Sequence, residues 1–394
     1  MPPRPGIPRL LRELNDRAAL ELLLGQGPLT RAQLGEHTGL SKVTASQLLG
    51  RLAERGFVHV VGEQAGGRGP NAALYAVVPS CAYVAGVHVE SDMVSAGVAD
   101  VTGRIITEVT VDPDGRENPV ETLRDAVAMA CRSAAVEISQ LRAFVIGSPG
   151  VVDPRTGDPR LAVNLPAWHE GVLAALRGDL GRPVTIENDV NLAAVAEQAD
   201  GAAAGVSDFV LMWIGVGVGL ATVLGGRLHR GFTGAAGEIG YLPVPGVPLP
   251  EDVRRPYTGS LQSLVGAAEV RRLAVAHGFA APSAVAGVRA AVTALDAGQE
   301  PGGAFVRELA RRVTLGLASV CAVLDPQLVI LGGDIGQAGG AHLAGLVATG
   351  VSRICLSNPR VVPPGVTTSP VLRGALLTAL RQAREKLFES VATG

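Results

Sequence analysis

Between Leu29 and Phe57 two short helical patterns meet at a glycine, and this junction constrains the front of the chain more than any other feature. Thr30 can cap the first helix while Gln33 reaches back, a capping box, and Leu29 and Leu34 hold the two positions of a hydrophobic staple. Gly39-Leu40 supplies a tight turn and Ser41 a second cap. In the next helix Ala45, Leu48, Leu49 and Leu52 recur at i, i+3, i+4 and i+7, which makes them the buried stripe. Gly56 is placed to end that helix. A strand pattern at Val58–Glu63 and a returning one at Leu74–Val78 flank Gly66-Gly67-Arg68-Gly69-Pro70. Helix, turn, helix and hairpin in this order predict a winged helix-turn-helix over residues 1–79.

The face opposite the buried stripe presents Lys42, Thr44, Gln47 and Arg51, side chains that reach phosphates and base edges in a major groove. Arg31 and Ser41, at the helix starts, join this candidate DNA-contacting set, and Arg68 at the wing tip could enter the minor groove. The bland alternative is a small helical domain with a polar face. Charge favours the first reading. The whole chain carries −2, which creates no general attraction for nucleic acid, whereas Met1 to Pro70 holds nine Arg or Lys against six acids.

At 394 residues the chain exceeds one core and predicts two or three domains. Four well-separated cysteines, Cys81, Cys131, Cys321 and Cys355, form no metal or disulfide pattern and read as small hydrophobes in a reducing compartment. The apolar run near Phe209 to Leu224 is interrupted by glycines and too short for a bilayer, so the expected location is cytoplasmic, with no membrane partner.

From Ala82 onward, strands at Tyr83–Glu90, Met93–Val101 and Ile105–Val111 precede a helix at about Val120–Gln140 and a strand at Arg142–Gly147. A second strand-rich segment starts near Ser207, with Gly215-Val216-Gly217-Val218-Gly219 at its first turn and Gly225-Gly226 at its next. Two such meanders, each followed by helices, describe a duplicated lobe with a cleft between. The last helix, Val371–Glu389, is expected to pack on the first lobe.

Six stretches stand in one order: Gly147–Asp153, Asn164–Trp168, Glu187–Asn191, Gly215–Gly219, Gly234–Gly240, and Asp325-Pro followed by Leu331-Gly-Gly-Asp334. Behind a winged helix they resemble the ROK family of repressors, open reading frames and sugar kinases, specifically its winged-helix regulator branch. The resemblance covers nearly the whole chain. It implies an α/β fold: an N-terminal winged helix-turn-helix and a two-lobed, actin-like (ribonuclease H-like, sugar-kinase-type) body over residues 80–394. The lobes would be about 80–195 with the C-terminal helix 371–390, and about 196–370.

The resemblance also implies a sugar site. Asp189 matches the base of the sugar kinases, and Asn164, Asn188 and Glu238 match groups that fix sugar hydroxyls. Tyr241 and Gln262 stand where the family carries a histidine and a carboxylate, and both can still hydrogen-bond a polyol. Trp168 stacks on a sugar or packs, with packing favoured. A nucleotide site is degraded. Where the kinases have Asp-x-Gly-Gly-Thr, this chain has His88-Val89-Glu90-Ser91-Asp92, whose side chains obstruct close backbone approach and whose acids repel polyphosphate. Val216 replaces a threonine hydroxyl in the second loop, and no cysteines replace the family's zinc segment at 256–262.

The expectation is therefore a non-enzymatic regulator, with no catalytic residue, metal or cofactor. It would act as a homodimer or homotetramer on a palindromic double-stranded DNA operator and answer to a small carbohydrate. The alternatives are a sugar kinase with an attached DNA-binding domain, and a DNA binder with a vestigial pocket.

Overall fold

The stripe Ala45, Leu48, Leu49 and Leu52 is buried in the computed structural model, which describes residues 8–65, 71–90, 92–113, 119–161, 177–178, 184–253, 255 and 258–393. A helix beyond the sequence expectation, α1 (Pro8–Gln26), packs Ala19, Leu20 and Leu23 into the same core. It precedes α2 (Arg31–Thr38) and α3 (Lys42–Glu54). The capping box forms as read: Gln33 N donates to Thr30 Oγ1 at 3.2 Å, and Thr30 N donates to Gln33 Oε1 at 2.9 Å. Beyond α3, Gly56 adopts φ 74° while Phe57 N returns to the Leu52 carbonyl at 2.9 Å, a glycine-made helix stop. The hairpin of β2 (Val58–Gln64) and β3 (Ala72–Val77) gains a third strand, β1 (Leu29–Thr30), in the order β1-β3-β2. Arg68 at its tip lies outside the described residues.

The body repeats one topology twice. An antiparallel meander of β4 (Tyr83–Val89), β5 (Val94–Asp100) and β6 (Ile105–Val111) is extended in parallel by β7 (Leu141–Ser148) and β10 (Val184–Asn188). A small hairpin of β8 (Val151–Val152) and β9 (Pro159–Leu161) leaves the end of β7. The second meander is β11 (Phe209–Ile214), β12 (Val218–Leu224) and β13 (Arg227–Leu228), extended in parallel by β14 (Leu328–Gly332) and β15 (Arg360–Val362). Both sheets run third, second, first, fourth, fifth strand across their width.

Helix α4 spans Pro119–Ser133, shorter than the expected Val120–Gln140. Val136 N bonds back to Cys131 O at 2.9 Å around Ala135 at φ 53°. This is a left-handed stop made without glycine, so the sequence carries no mark of it. On the second sheet pack α6 (Gln262–Val265), α7 (Ala267–Ala276), α8 (Ala284–Asp296), α9 (Glu300–Leu324) and α10 (Gly333–Ile354). Between the sheets lie α5 (Asp189–Asp200) and α11 (Pro370–Thr393), and their apolar faces join both sheets in one core. The far end of α11 leaves that core, and Leu387 and Phe388 enter the core of the winged helix instead. Among the described residues no helix is long and apolar enough to cross a membrane.

Helix α11 crosses α5 at Gly374, where a Cβ would overlap the carbonyl of Leu192. Gly374→Ala is expected to destabilise by about 1–3 kcal/mol or more, because backbone cannot step aside as a side chain can. Gly345→Ala, at an exposed site in α10 with open space around it, is expected to stabilise by about 0.5–1 kcal/mol. Denaturant unfolding of the two variants checks the opposite signs.

Candidate functional site

Strand register assembles the cleft. In the first sheet His88 pairs with Gly147, and Gly147 with Glu187, so the ends of β4, β7 and β10 lie in one row. In the second sheet Trp213 pairs with both Gly219 and Gly332. Each lobe thus presents the carboxyl ends of its parallel strands to the other, the usual ligand edge of α/β sheets.

Glu187, which is buried, is the hub. One carboxylate oxygen accepts from the Asn188 backbone and from Asn191 Nδ2, both at 3.0 Å. The other accepts from Arg230 of the second lobe, at 2.7 Å from Nε and 2.6 Å from Nη2. Asn188 caps α5 by accepting from Asn191 N at 3.0 Å, and its amide donates to the Gly150 carbonyl at 3.1 Å. With the backbone ends tied, Asp189 is held at the mouth of the helix, its Oδ1 accepting from Val190 N at 2.8 Å.

The cleft beside this hub has a volume of about 390 Å³ and is lined by Glu90, Asp92, Asp189, Glu238 and Asp334, with His88 at its edge. Among the described residues that line it there is no lysine or arginine. Burial pushes Asp189 up to about 6 against the hydrogen bonds it accepts. Glu238 is pushed up to about 7 by burial and then by the charge of Asp189. Glu90 also reaches about 7, through burial and then the charges of Asp334, Asp92 and Asp189. Burial lowers His88 to about 4, so the ring is neutral at pH 7 and its 3.7 Å approach to Glu90 is no ion pair. Such a cleft offers many acceptors for hydroxyl groups and an unfavourable field for anions.

The structure brings three of the six expected sugar ligands, Asn188, Asp189 and Glu238, to this cleft. Two expectations are corrected. Tyr241 turns its hydroxyl away, donating to the Val253 carbonyl at 2.6 Å, and does not line the cleft. Gln262 is buried under the glycine loop, accepting from Val218 N and donating to the Val216 carbonyl, both at 2.9 Å. Its amide matches two backbone groups of that turn, so in this structure it braces the loop. Asn164 and Trp168 lie outside the described residues. Asp334 and Arg230 were absent from the expected set; Asp334 stands within a matching stretch, while Arg230 carries no local signal.

On α3, Lys42, Thr44 and Gln47 are exposed. Ser41 caps the helix, accepting from Thr44 N at 3.2 Å, and Arg31 reaches Ser46 at 3.3 Å. Arg51, on the same helix, is half-buried and its guanidinium pairs with Asp16 of α1 at 2.6 Å. The helix α1 that supplies this acid was not part of the expected motif.

Two family profiles match the chain, the ROK family over residues 84–382 and the MarR family over residues 13–69. The chain is 23% identical over 336 residues to the DNA-binding transcriptional dual regulator NagC of Escherichia coli K12, covering 84% of this chain and 82% of NagC. It is 26% identical over 237 residues to the xylose repressor of Caldicellulosiruptor bescii, 59% of each protein. Among solved structures, the ROK hexokinase from Thermus thermophilus superposes with a TM-score of 0.63 at 30% identity, over 77% of this chain and 99% of the hexokinase. A ROK family transcriptional regulator, a homologue of the E. coli MLC protein, covers 98% of this chain and 100% of its own at a TM-score of 0.73. Its 18% identity speaks for the fold alone. The chain belongs to the ROK family, in its winged-helix transcriptional-regulator branch.

Proposed function

We propose that this protein is a cytoplasmic transcriptional repressor that binds a palindromic operator as a symmetric dimer or tetramer and senses an uncharged sugar in the cleft between its lobes. The observation that carries the reading is the charge of that cleft. Five carboxylates and, among the described residues, no lining lysine or arginine favour a ligand rich in hydroxyl donors and oppose a nucleotide triphosphate. Asp189 from the first lobe and Glu238 from the second both face the cavity, so a polyol bonded to both would bias the arrangement of the lobes.

The likeness to a hexokinase favours a second reading, phosphoryl transfer at Asp189. A coupled assay for sugar-dependent ADP release with magnesium and ATP separates the two; turnover that vanishes in Asp189→Asn would establish the kinase. On the regulatory reading there is no turnover. Asp189→Asn and Glu238→Gln each weaken sugar binding by about tenfold, the order expected for a hydrogen bond to a charged group, and leave sugar-free operator affinity unchanged.

The raised carboxylates also predict a pH dependence. Their folded pKa lies above the unfolded value, so their contribution to stability is fully present below about 4.5 and is lost as pH rises through about 7. His88 acts oppositely, since its folded pKa is depressed to about 4. Its effect is complete above the unfolded value of about 6.5. Between pH 6.5 and 8 the melting temperature should therefore fall, and Glu238→Gln should flatten the fall.

For the DNA-binding end, Lys42→Ala is expected to weaken operator binding and reduce the salt slope by about 0.9, the loss of one phosphate contact. Arg51→Ala is expected to lower stability through the lost Asp16 pair and leave the slope unchanged. Fluorescence anisotropy across a salt series, with melting curves, tests both.

A further inference from the structure

Winged helix and body meet along a groove of about 680 Å³ that the sugar reading does not use. One face of α11 forms it: Arg373, Leu377, Leu380, Arg381, Arg384 and Phe388 recur at helical spacing. Helix α1 supplies Arg17 and Glu21, and the turn after β5 and part of α5 complete the lining. Its charge is opposite to that of the cleft, with four guanidinium groups facing Glu21 and Glu385.

The four are not equally committed. Arg17 pairs with Glu21 at 2.7 Å, and Arg373 with Asp200 at 2.6 Å. Arg381 is exposed and has no hydrogen-bond or ion-pair partner among the described residues. Arg384 is half-buried and donates twice to one main-chain oxygen, the Val101 carbonyl, at 3.0 Å from Nε and 2.9 Å from Nη2. Burial lowers its pKa, opposed by Asp100, so this guanidinium is partly desolvated.

We propose that this groove binds a phosphoryl group, as free phosphate or on a small ester such as a sugar phosphate, with the fork of Arg381 as its main ligand and Arg384, held by the Val101 carbonyl through Nε and Nη2, adding its charge and its remaining nitrogen. Residues three apart on a helix are neighbours, and guanidinium forks match phosphate oxygens in pairs. Arg17 adds a third donor from α1, because an exposed i,i+4 pair such as Arg17 with Glu21 is weakly held. Leu24, Leu377 and Phe388 offer apolar surface to the remainder of an ester. The volume suits a small molecule. An occupant held by α1 and α11 together fixes the winged helix against the body, and linkage then makes operator affinity depend on it.

The full-length protein is titrated by calorimetry with inorganic phosphate, glucose 6-phosphate and glucose at constant ionic strength. Phosphate binding is expected, weakened by at least about tenfold in Arg381→Glu and tightened in Glu385→Gln, with both variants melting like the parent. Tighter binding of glucose 6-phosphate than of phosphate identifies an ester as the occupant, and equal binding identifies the free ion. Absence of binding by either, or affinity unchanged in Arg381→Glu, overturns the proposal. Operator affinity that falls in Arg381→Glu without any phosphate also overturns it, since the groove would then be a DNA-backbone contact. The cleft is tested apart: Asp189→Asn should leave phosphate binding intact, and loss there would place the anion in the cleft and overturn the groove.

Discussion

Helix α11 needs apolar partners along both halves of its length, and no single domain of this chain supplies them. Its first turns bury Val371, Leu372, Ala375 and Leu376 between the two sheets, while Leu387 and Phe388 close the winged-helix core. Removing either contact would expose several large side chains, each worth roughly 1.5–3 kcal/mol when buried. The helix therefore ties the winged helix to both lobes of the body. Polar contacts keep the junction in register: Arg55 donates to the Ser390 carbonyl at 2.8 Å, and Arg17 stacks over Phe388.

The cleft is arranged around a second coupling, the buried Glu187 and its partner Arg230. An isolated buried carboxylate is costly, and here four donor contacts from both lobes offset the loss of water. That satisfied hub contrasts with Asp189 and Glu238 beside it, whose pKa values are raised by burial and, for Glu238, also by the charge of Asp189.

What was legible in the sequence follows the range of the forces. Thr30 with Gln33, Ser41 with Thr44 and the stripe from Ala45 to Leu52 are set within a turn or two of chain, and they stand as read. The strand meanders follow from period-two patterns. The contacts that the sequence did not show are those whose partners are remote: Arg51 is paired with an acid 35 positions away, and Gln262 with a loop 44 away. Side-chain type named both as ligands, because Arg and Gln suit phosphates and polyols. Only the packing of α1 against α3, and of α6 under the glycine loop, shows that their hydrogen bonds are already made. Ala135 failed for another reason, since a left-handed helix stop built on alanine has no compositional signature.

A repressor of this architecture needs its ligand to discriminate between two arrangements, and the carboxylates supply a reason. Changing operator affinity by about 100-fold requires roughly 2.7 kcal/mol of differential binding. Asp189 and Glu238 face the cleft from opposite lobes, and after burial the charge of Asp189 raises the pKa of Glu238 further. On the proposed reading, closing of an empty cleft is opposed by this repulsion, and more strongly as pH rises and both acids ionise. A polyol donating to each replaces repulsion with two charge-assisted hydrogen bonds, each worth roughly 1.5–3 kcal/mol. The sum is of the size required. A phosphate in the same place would add to the repulsion, so on the proposed reading selectivity for uncharged sugars and the capacity to switch have the same physical origin.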